Sequence, residues 1–334
     1  ATSITMLRIW GTAAAVGLSA GVWSWAPSKA EGGPATSKSV YKDTNAVPRT
    51  QEGKVLHVDV GPQEVAPRIV TVGAASRARL LAGHFDGVNG QDPQRVPGVL
   101  YHESSRGFTT YTGTVDGVPL SVIAIGMGMP MMDFMIREIR SIVEGPMIMV
   151  RYGTCGGLQE QVPEGTVVVA ALGSVSVTRN PDSFAPASIG LPSPSPYNIS
   201  GVAPADVLLS NAVGAELSST LKREVGVQTM FGMNVTADSF YGSQARKDPN
   251  FDDRGDGLLE SLLSRYPGLM TMEMETFQLF DLARSATQPI KAAAAAIVVA
   301  NRPTGAIMDG ITLKSVESLG GKAIMKAVAH HPLD

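Results

Sequence analysis

Short apolar runs rich in β-formers alternate with stretches of helical spacing from residue 68 to the C-terminal end, and that alternation leaves few folds open. Strands are expected at 68–72, 147–151, 166–177, 225–235 and 291–300, and a further run ends in Glu273-Met274-Glu275. Two β-rich runs, 109–115 and 118–125, flank Asp116-Gly117 and read as a hairpin. Helices are expected at 76–85, 130–143, 204–223, 257–265, 275–286 and 312–330. The alanines at 292–296 favour helix by propensity, yet Ile297-Val298-Val299 follows them, so the segment is assigned to the sheet. The expected fold class is α/β, a single three-layer α/β/α domain around a central mixed sheet. Pro181 to Pro204 holds six prolines and no periodicity, and reads as a long surface excursion free to move.

Composition narrows the function. Of 334 residues 44% are hydrophobic and 17% charged, enough for a large core. A formal charge of −3 leaves no basic excess for a nucleic-acid backbone, so no nucleic-acid partner is expected. A lone cysteine, Cys155, excludes an intrachain disulfide. Five scattered histidines without a ligand-spaced pair argue against a metal site.

The N-terminal run stands apart. Residues 9–28 carry no charge and hold all three tryptophans, between Arg8 and Lys29. As a helix the run would be about 30 Å long, enough to reach across a bilayer. A cleaved presequence is the competing reading. The expected organisation is a hydrophobic targeting or anchor segment at 1–34, a linker at 35–50 and one domain at 51–334. Membrane contact is expected only through 9–28.

Ligands of α/β sheets gather at the carboxyl ends of strands. The expected strand ends here are followed by Gly73 and Arg77, by Gly153-Thr154 after Arg151, by Gln244 and Arg246, and by Asn301-Arg302. Two guanidiniums and a Gly-Thr turn are what an oxyanion such as phosphate requires. A carboxylate at a strand end can accept from two vicinal hydroxyls, as in a ribose, and Glu275 is the candidate. That Glu273 or Glu275 merely starts a helix is equally open.

These residues also carry a resemblance. Arg151-Tyr152-Gly153-Thr154-Cys155-Gly156-Gly157 resembles the Arg-x-Gly-Thr-x-Gly turn of the nucleoside phosphorylase family. The stretch from Phe240 to Arg246 is similar to the Phe-Tyr-x-x-Gln-x-Arg of its uridine phosphorylase branch. Met272-Glu273-Met274-Glu275, Ala300-Asn301-Arg302, Ile125 to Pro130, and Arg106 with Phe108-Thr109-Thr110 resemble further family stretches, in the family's order. The likeness runs from about His57 onward.

The resemblance implies phosphorolysis of uridine to uracil and ribose 1-phosphate, with phosphate as co-substrate and no other cofactor. It implies that Gly73, Arg77, Arg151 and Thr154 bind phosphate, and that Arg106 reaches the phosphate of a neighbouring subunit. His57 would reach that neighbour's ribose, while Met274 and Glu275 hold the chain's own. Gln244 and Arg246 would read the pyrimidine edge, Phe240 would pack on the ring, and Arg302 would close the pocket. Catalysis would rest on Arg246, Gln244 and Glu275, and Cys155 is given no covalent role. The smallest active unit implied is a homodimer with shared sites, with higher assembly open. Family resemblance implies the cytosol, and the N-terminal run offers an organelle or a membrane instead.

An amide with a guanidinium matches uracil's carbonyl–NH–carbonyl edge. Purine-specific relatives carry an Asp where Asn301 stands, which argues for pyrimidine. Purine phosphorolysis, a nucleosidase, and a non-catalytic nucleoside-binding protein on the same fold are the alternatives. The chain departs from the family at Gly73-Ala74-Ala75-Ser76-Arg77, where a Gly-Asp-Pro-x-Arg turn is usual. Cys155 replaces a usual threonine. Gly107 and Met131 fill the places of an interface cation's Glu and Ser, and no such cation is carried over.

Overall fold

The alanine run is strand, and it organises the middle of the sheet. The computed structural model describes residues 45–185 and 194–334. Along them run β1 (Arg68–Val72), α1 (Ala75–Ala82), β2 (Leu100–Glu103), β3 (Thr109–Val115), β4 (Val118–Ala124), α2 (Met129–Arg140) and β5 (Met147–Gly157). Next come β6 (Val167–Val169), β7 (Ser174–Arg179), β8 (Tyr197–Ile199), α3 (Val207–Val225), β9 (Thr229–Phe231) and β10 (Met233–Ala237). The chain ends with α4 (Leu258–Arg265), β11 (Leu269–Glu273), α5 (Thr276–Ser285), β12 (Ile290–Asn301) and α6 (Gly310–His330).

All strands join one mixed sheet in the order β2-β3-β4-β1-β5-β11-β10-β7-β8, with β12 beside β5 and β6, and β6 beside β9. Residues 292–295 of β12 pair with Met149 to Tyr152 of β5 in parallel, and both faces of the run are buried. Burial on two faces and a long partner strand override alanine's helical preference. Helices α1, α3 and α6 cover one face, where Leu81, Leu217 and Val328 join the core. Helices α2 and α5 cover the other, through Met132, Met135, Leu279 and Phe280. This is the expected three-layer arrangement.

Helix α6 lies close to the sheet and to α1 because two of its residues have no side chain. A Cβ added at Gly320 would lie 2.1 Å from the Tyr152 hydroxyl, and one at Gly321 would lie 2.5 Å from Leu81. That hydroxyl donates to the Val316 carbonyl at 2.7 Å and is fixed by it. Gly320→Ala should therefore lower stability by about 1–3 kcal/mol through overpacking, although alanine is the better helix former. Thermal unfolding of the variant checks this, and an unchanged or raised Tm would contradict the packing argument.

Several boundaries differ from expectation. The 166–177 run breaks into β6 and β7 at a turn through Gly173, whose φ is +88°. The 225–235 run breaks at Gly232, where a Cβ would meet Met270 at 2.4 Å. In both, the chain leaves the β12–β6–β9 arm and enters the β10–β7 arm. Strands β2 and β8 gave no clear periodic signal. The proline-rich excursion is held at both described ends: residues 181–184 form a 3-10 turn, and β8 pairs with β7. Within the expected linker, Arg49 bridges Val55 and donates to the Ser141 carbonyl. The anchor segment and residues 35–44 lie outside the described residues. No helix among the described residues is long and apolar enough to cross a membrane.

Candidate active site

The expected turn after Arg151 is strand instead. β5 runs on to Gly157 because β12 pairs with it along its whole length. Arg151 and Thr154 therefore sit inside a strand, and one row of backbone groups is taken up by the ladder. The opposite edge of β5 is different. Its pairing with β1 ends at Thr71↔Arg151, and β11 takes that edge only at Gly156 and Gly157, running antiparallel. Between them is an open stretch where the sheet changes direction. Such a switch point is where ligands enter α/β sheets.

The side chains at this point are buried and tightly joined. Arg151 donates to Glu275 and, at 3.4 Å, to Glu273 Oε2. Its guanidinium lies against Gly153, where a Cβ would sit 3.4 Å away. Arg151 Nη1 is buried with no protein partner among the described residues. Glu273 accepts from Asn234 Nδ2 at 2.8 Å, Thr236 Oγ1 at 2.6 Å and the Glu275 N–H at 2.9 Å, and also from Thr276 N–H. Its job is structural: it begins α5 and steers Arg151. Glu275 accepts the Gly128 N–H at 2.6 Å, and Gly128 holds φ +99° at the start of α2. Burial pushes the Glu275 carboxyl up; Arg151 opposes that rise and Glu273 adds to it. Each carboxylate oxygen of Glu275 keeps a second lone pair for a ligand hydroxyl.

Gly73 closes β1 beside this cluster, its carbonyl accepting the Gly126 N–H at 2.9 Å. Thr154, within β5, and Met274, just past the end of β11, are half-buried. Arg77 is more committed than expected. Its Nε and Nη2 bond Glu317 Oε1 of α6 at 2.9 and 2.6 Å, which leaves Nη1 for an anion.

A second group lies beyond β10 and β12. Arg302 crosses over Gly156, where a Cβ would lie 3.3 Å from its side chain, and Nη1 donates to the Gln244 carbonyl at 2.5 Å. Gln244 is 3% exposed, and its side-chain amide has no partner among the described residues. Arg246 donates to the Phe240 carbonyl at 3.0 Å and lies 4.1 Å over the Phe240 ring. A cavity of about 550 Å³ is lined by Phe240, Tyr241, Arg246, Lys247 and Arg302. Burial, then the like charge of Arg246, lowers the Arg302 pKa.

Asn301 is not part of that cavity. It is 1% exposed, donates to the Gln159 and Val162 carbonyls at 2.9 Å, and accepts from Thr304 at 3.0 Å. Its amide is fully occupied in fixing loops, so Asn301 is not itself a reader of the base. Cys155 is buried against the Ile297 carbonyl, and burial pushes its thiol well up.

His57 and Arg106 meet on one surface. Ser104 donates to the His57 carbonyl at 2.5 Å and accepts the Arg106 N–H at 3.0 Å. Arg106 is exposed. Glu138, 3% exposed, accepts the backbone N–H groups of His57 and Val58 at 2.8–2.9 Å, and its Oε1 lies 2.5 Å from His57 Nδ1. The ring stacks on Phe134 at 4.0 Å. Glu138 and Ser104 were not legible as site residues, since a glutamate in an amphipathic helix reads as solvated.

Known proteins are similar to this chain. The phosphorylase superfamily model matches residues 67–329. A uridine phosphorylase from Klebsiella aerogenes is 28% identical over 245 residues, covering 71% of this chain and 88% of that enzyme. A DeoD-type purine nucleoside phosphorylase from Geobacillus stearothermophilus is 27% identical over 228 residues, covering 68% of this chain and 80% of that enzyme. A solved structure from work on two uridine phosphorylases of the oomycete Phytophthora capsici is 43% identical. It superposes with a TM-score of 0.82 over 88% of this chain and all of its own. With the sheet, the switch point and the arginine–carboxylate cluster all inside the matched span, the chain belongs to the phosphorylase superfamily.

Proposed function

We propose that the protein cleaves uridine with phosphate, giving uracil and ribose 1-phosphate. The observation that carries this reading is the Gln244 amide, which has no protein partner among the described residues and stands next in sequence to the arginine-lined cavity. An amide supplies both a donor and an acceptor, which matches uracil's edge. Relatives named as uridine phosphorylases, with the 43% identical structure among them, support the choice.

Phosphate binds in the open stretch of β5. Arg151 Nη1 and the Thr154 hydroxyl face it, with the Gly73 backbone and the remaining arm of Arg77. Glu275 accepts from the ribose hydroxyls and Met274 lies under the sugar. As the glycosidic bond lengthens, positive charge grows on the ribose, and phosphate opposite the base stabilises it and attacks C1′. Negative charge grows on the uracil oxygens, where Arg246 and Gln244 donate. Arg302 holds the Gln244 backbone from behind, and Phe240 packs on the base. No cofactor beyond phosphate is needed. His57 and the exposed Arg106 complete the site of a second copy, so the active unit is a homodimer.

Uridine and inosine are to be compared with and without phosphate, following nucleoside loss by ultraviolet absorbance. Loss of uridine that requires phosphate is the expected result. Cleavage of inosine instead would move the base assignment to purines, and cleavage without phosphate would make the protein a nucleosidase.

A further inference from the structure

We propose that Arg179 is a positioning residue for base recognition, fixing the 3-10 turn that carries Gln244 through two separate routes. The inference rests on Gln244 and Arg246 as the base-reading pair. Arg179 is the last residue of β7, and the turn spans Gly242–Gln244.

The first route is through its backbone. The Arg179 N–H donates to Asp238 Oδ2 at 3.0 Å, and Asp238 Oδ1 accepts from Ser243 Oγ, next to Gln244. The second is through its guanidinium, which pairs with Asp253 Oδ1 at 2.5 Å. The Asp253 carboxylate rests on Gly242, where an added Cβ would lie 2.9 Å from Oδ1. Only a glycine admits so close an approach, so movement of Asp253 is felt directly in the turn.

The guanidinium is itself anchored by the proline-rich excursion. Its carbon lies 3.6 Å from the Phe184 ring centroid, and the Arg254 guanidinium lies 5.0 Å from the same centroid. Arg254 Nη1 donates to the Ser183 carbonyl at 2.7 Å, and the Tyr197 hydroxyl donates to the Asp253 carbonyl at 2.5 Å. Both described ends of the excursion thus grip the 253–254 loop. That loop also backs Ala245, whose φ of +51° is a left-handed conformation alanine keeps only under restraint. A Cβ at Gly255 would lie 3.2 Å from the Ala245 Cα. Ala245 separates Gln244 from Arg246, so its conformation sets the angle between them.

The Arg179–Asp253 pair is 40% and 19% exposed, and pairs of that kind add little to stability. Its effect should therefore appear in binding. In Arg179→Met, and independently in Phe184→Ala, the KM for uridine is expected to rise about fivefold to tenfold. The KM for phosphate and the Tm should stay near wild type, and hydrogen exchange of residues 239–256 should quicken in the unliganded protein. Equal changes in both KM values, no change in either, or unchanged exchange would overturn the proposal. If the wild-type protein cleaves no uridine, the base-reading assignment fails by itself, and the exchange comparison still decides whether Arg179 braces the turn.

Discussion

Arg151→Met is expected to lower kcat/KM for uridine phosphorolysis roughly 10³-fold and stability by about 3–5 kcal/mol. The two effects share one cause. Arg151 and Glu275 have side chains only 5% and 3% exposed, and Glu273 is equally buried. Removing the guanidinium leaves two carboxylates side by side with no countercharge. Glu273 keeps its bonds to Asn234, Thr236 and the start of α5, whereas Glu275 keeps only the Gly128 N–H. Glu275 is therefore the group that will take up a proton. Its pKa is already raised in the folded protein. A raised carboxyl pKa contributes stability at low pH that is lost as pH rises through the folded value. The stability deficit of the variant should accordingly shrink as pH falls, and urea titrations at several pH values read this. Activity should not return at low pH, because phosphate has lost its buried donor. Arg151→Lys should recover much of the stability and little of the rate, since an ammonium cannot bond two carboxylates and an anion in a forked plane. A near-normal KM for phosphate in Arg151→Met would remove Arg151 from the phosphate site.

Much of this was readable from residue order. Strand-forming runs, the Asp116-Gly117 hairpin and the helices predicted the three layers, because periodicity reports burial directly. Glu275, Gln244, Arg246 and Arg302 all follow strands that the pattern could locate, and Arg151 lies on one. What failed was pairing. Nothing local in Gly153 to Gly157 announces that β12 will hold it as strand, since the partner lies about 140 residues on. Breaks at Gly173 and Gly232 depend likewise on which arm of the sheet each half joins. Commitment of a side chain was also hidden: Arg77 is bound to Glu317, and Asn301 to two loops. In sequence both look like free polar groups beside a site, although Asn301 is tied to Gln159 and Val162 of one loop and Thr304 of another. A residue's type says what it can bond, and only the fold says what it already bonds.

Arg246→Ala should separate chemistry from folding. Arg246 is half-buried, and its recorded contacts are the Phe240 carbonyl and ring. Losing one exposed hydrogen bond and one cation–π contact should change Tm little. The rate should suffer far more, because a donor preorganised toward developing charge contributes roughly 3–4 kcal/mol to the transition state. That corresponds to a loss of about 10²–10³ in kcat, with a smaller change in the KM for uridine. Arg302 will not substitute, since it is held on the Gln244 carbonyl. Leaving-group chemistry gives a sharper test than rate alone. A uracil substituted at C5 with an electron-withdrawing group carries its own negative charge better and needs Arg246 less. The ratio of wild-type to variant kcat should therefore fall for 5-fluorouridine relative to uridine. If the ratio is the same for both nucleosides while KM rises, Arg246 binds the base without stabilising its charge, and the catalytic donor must be sought in Gln244.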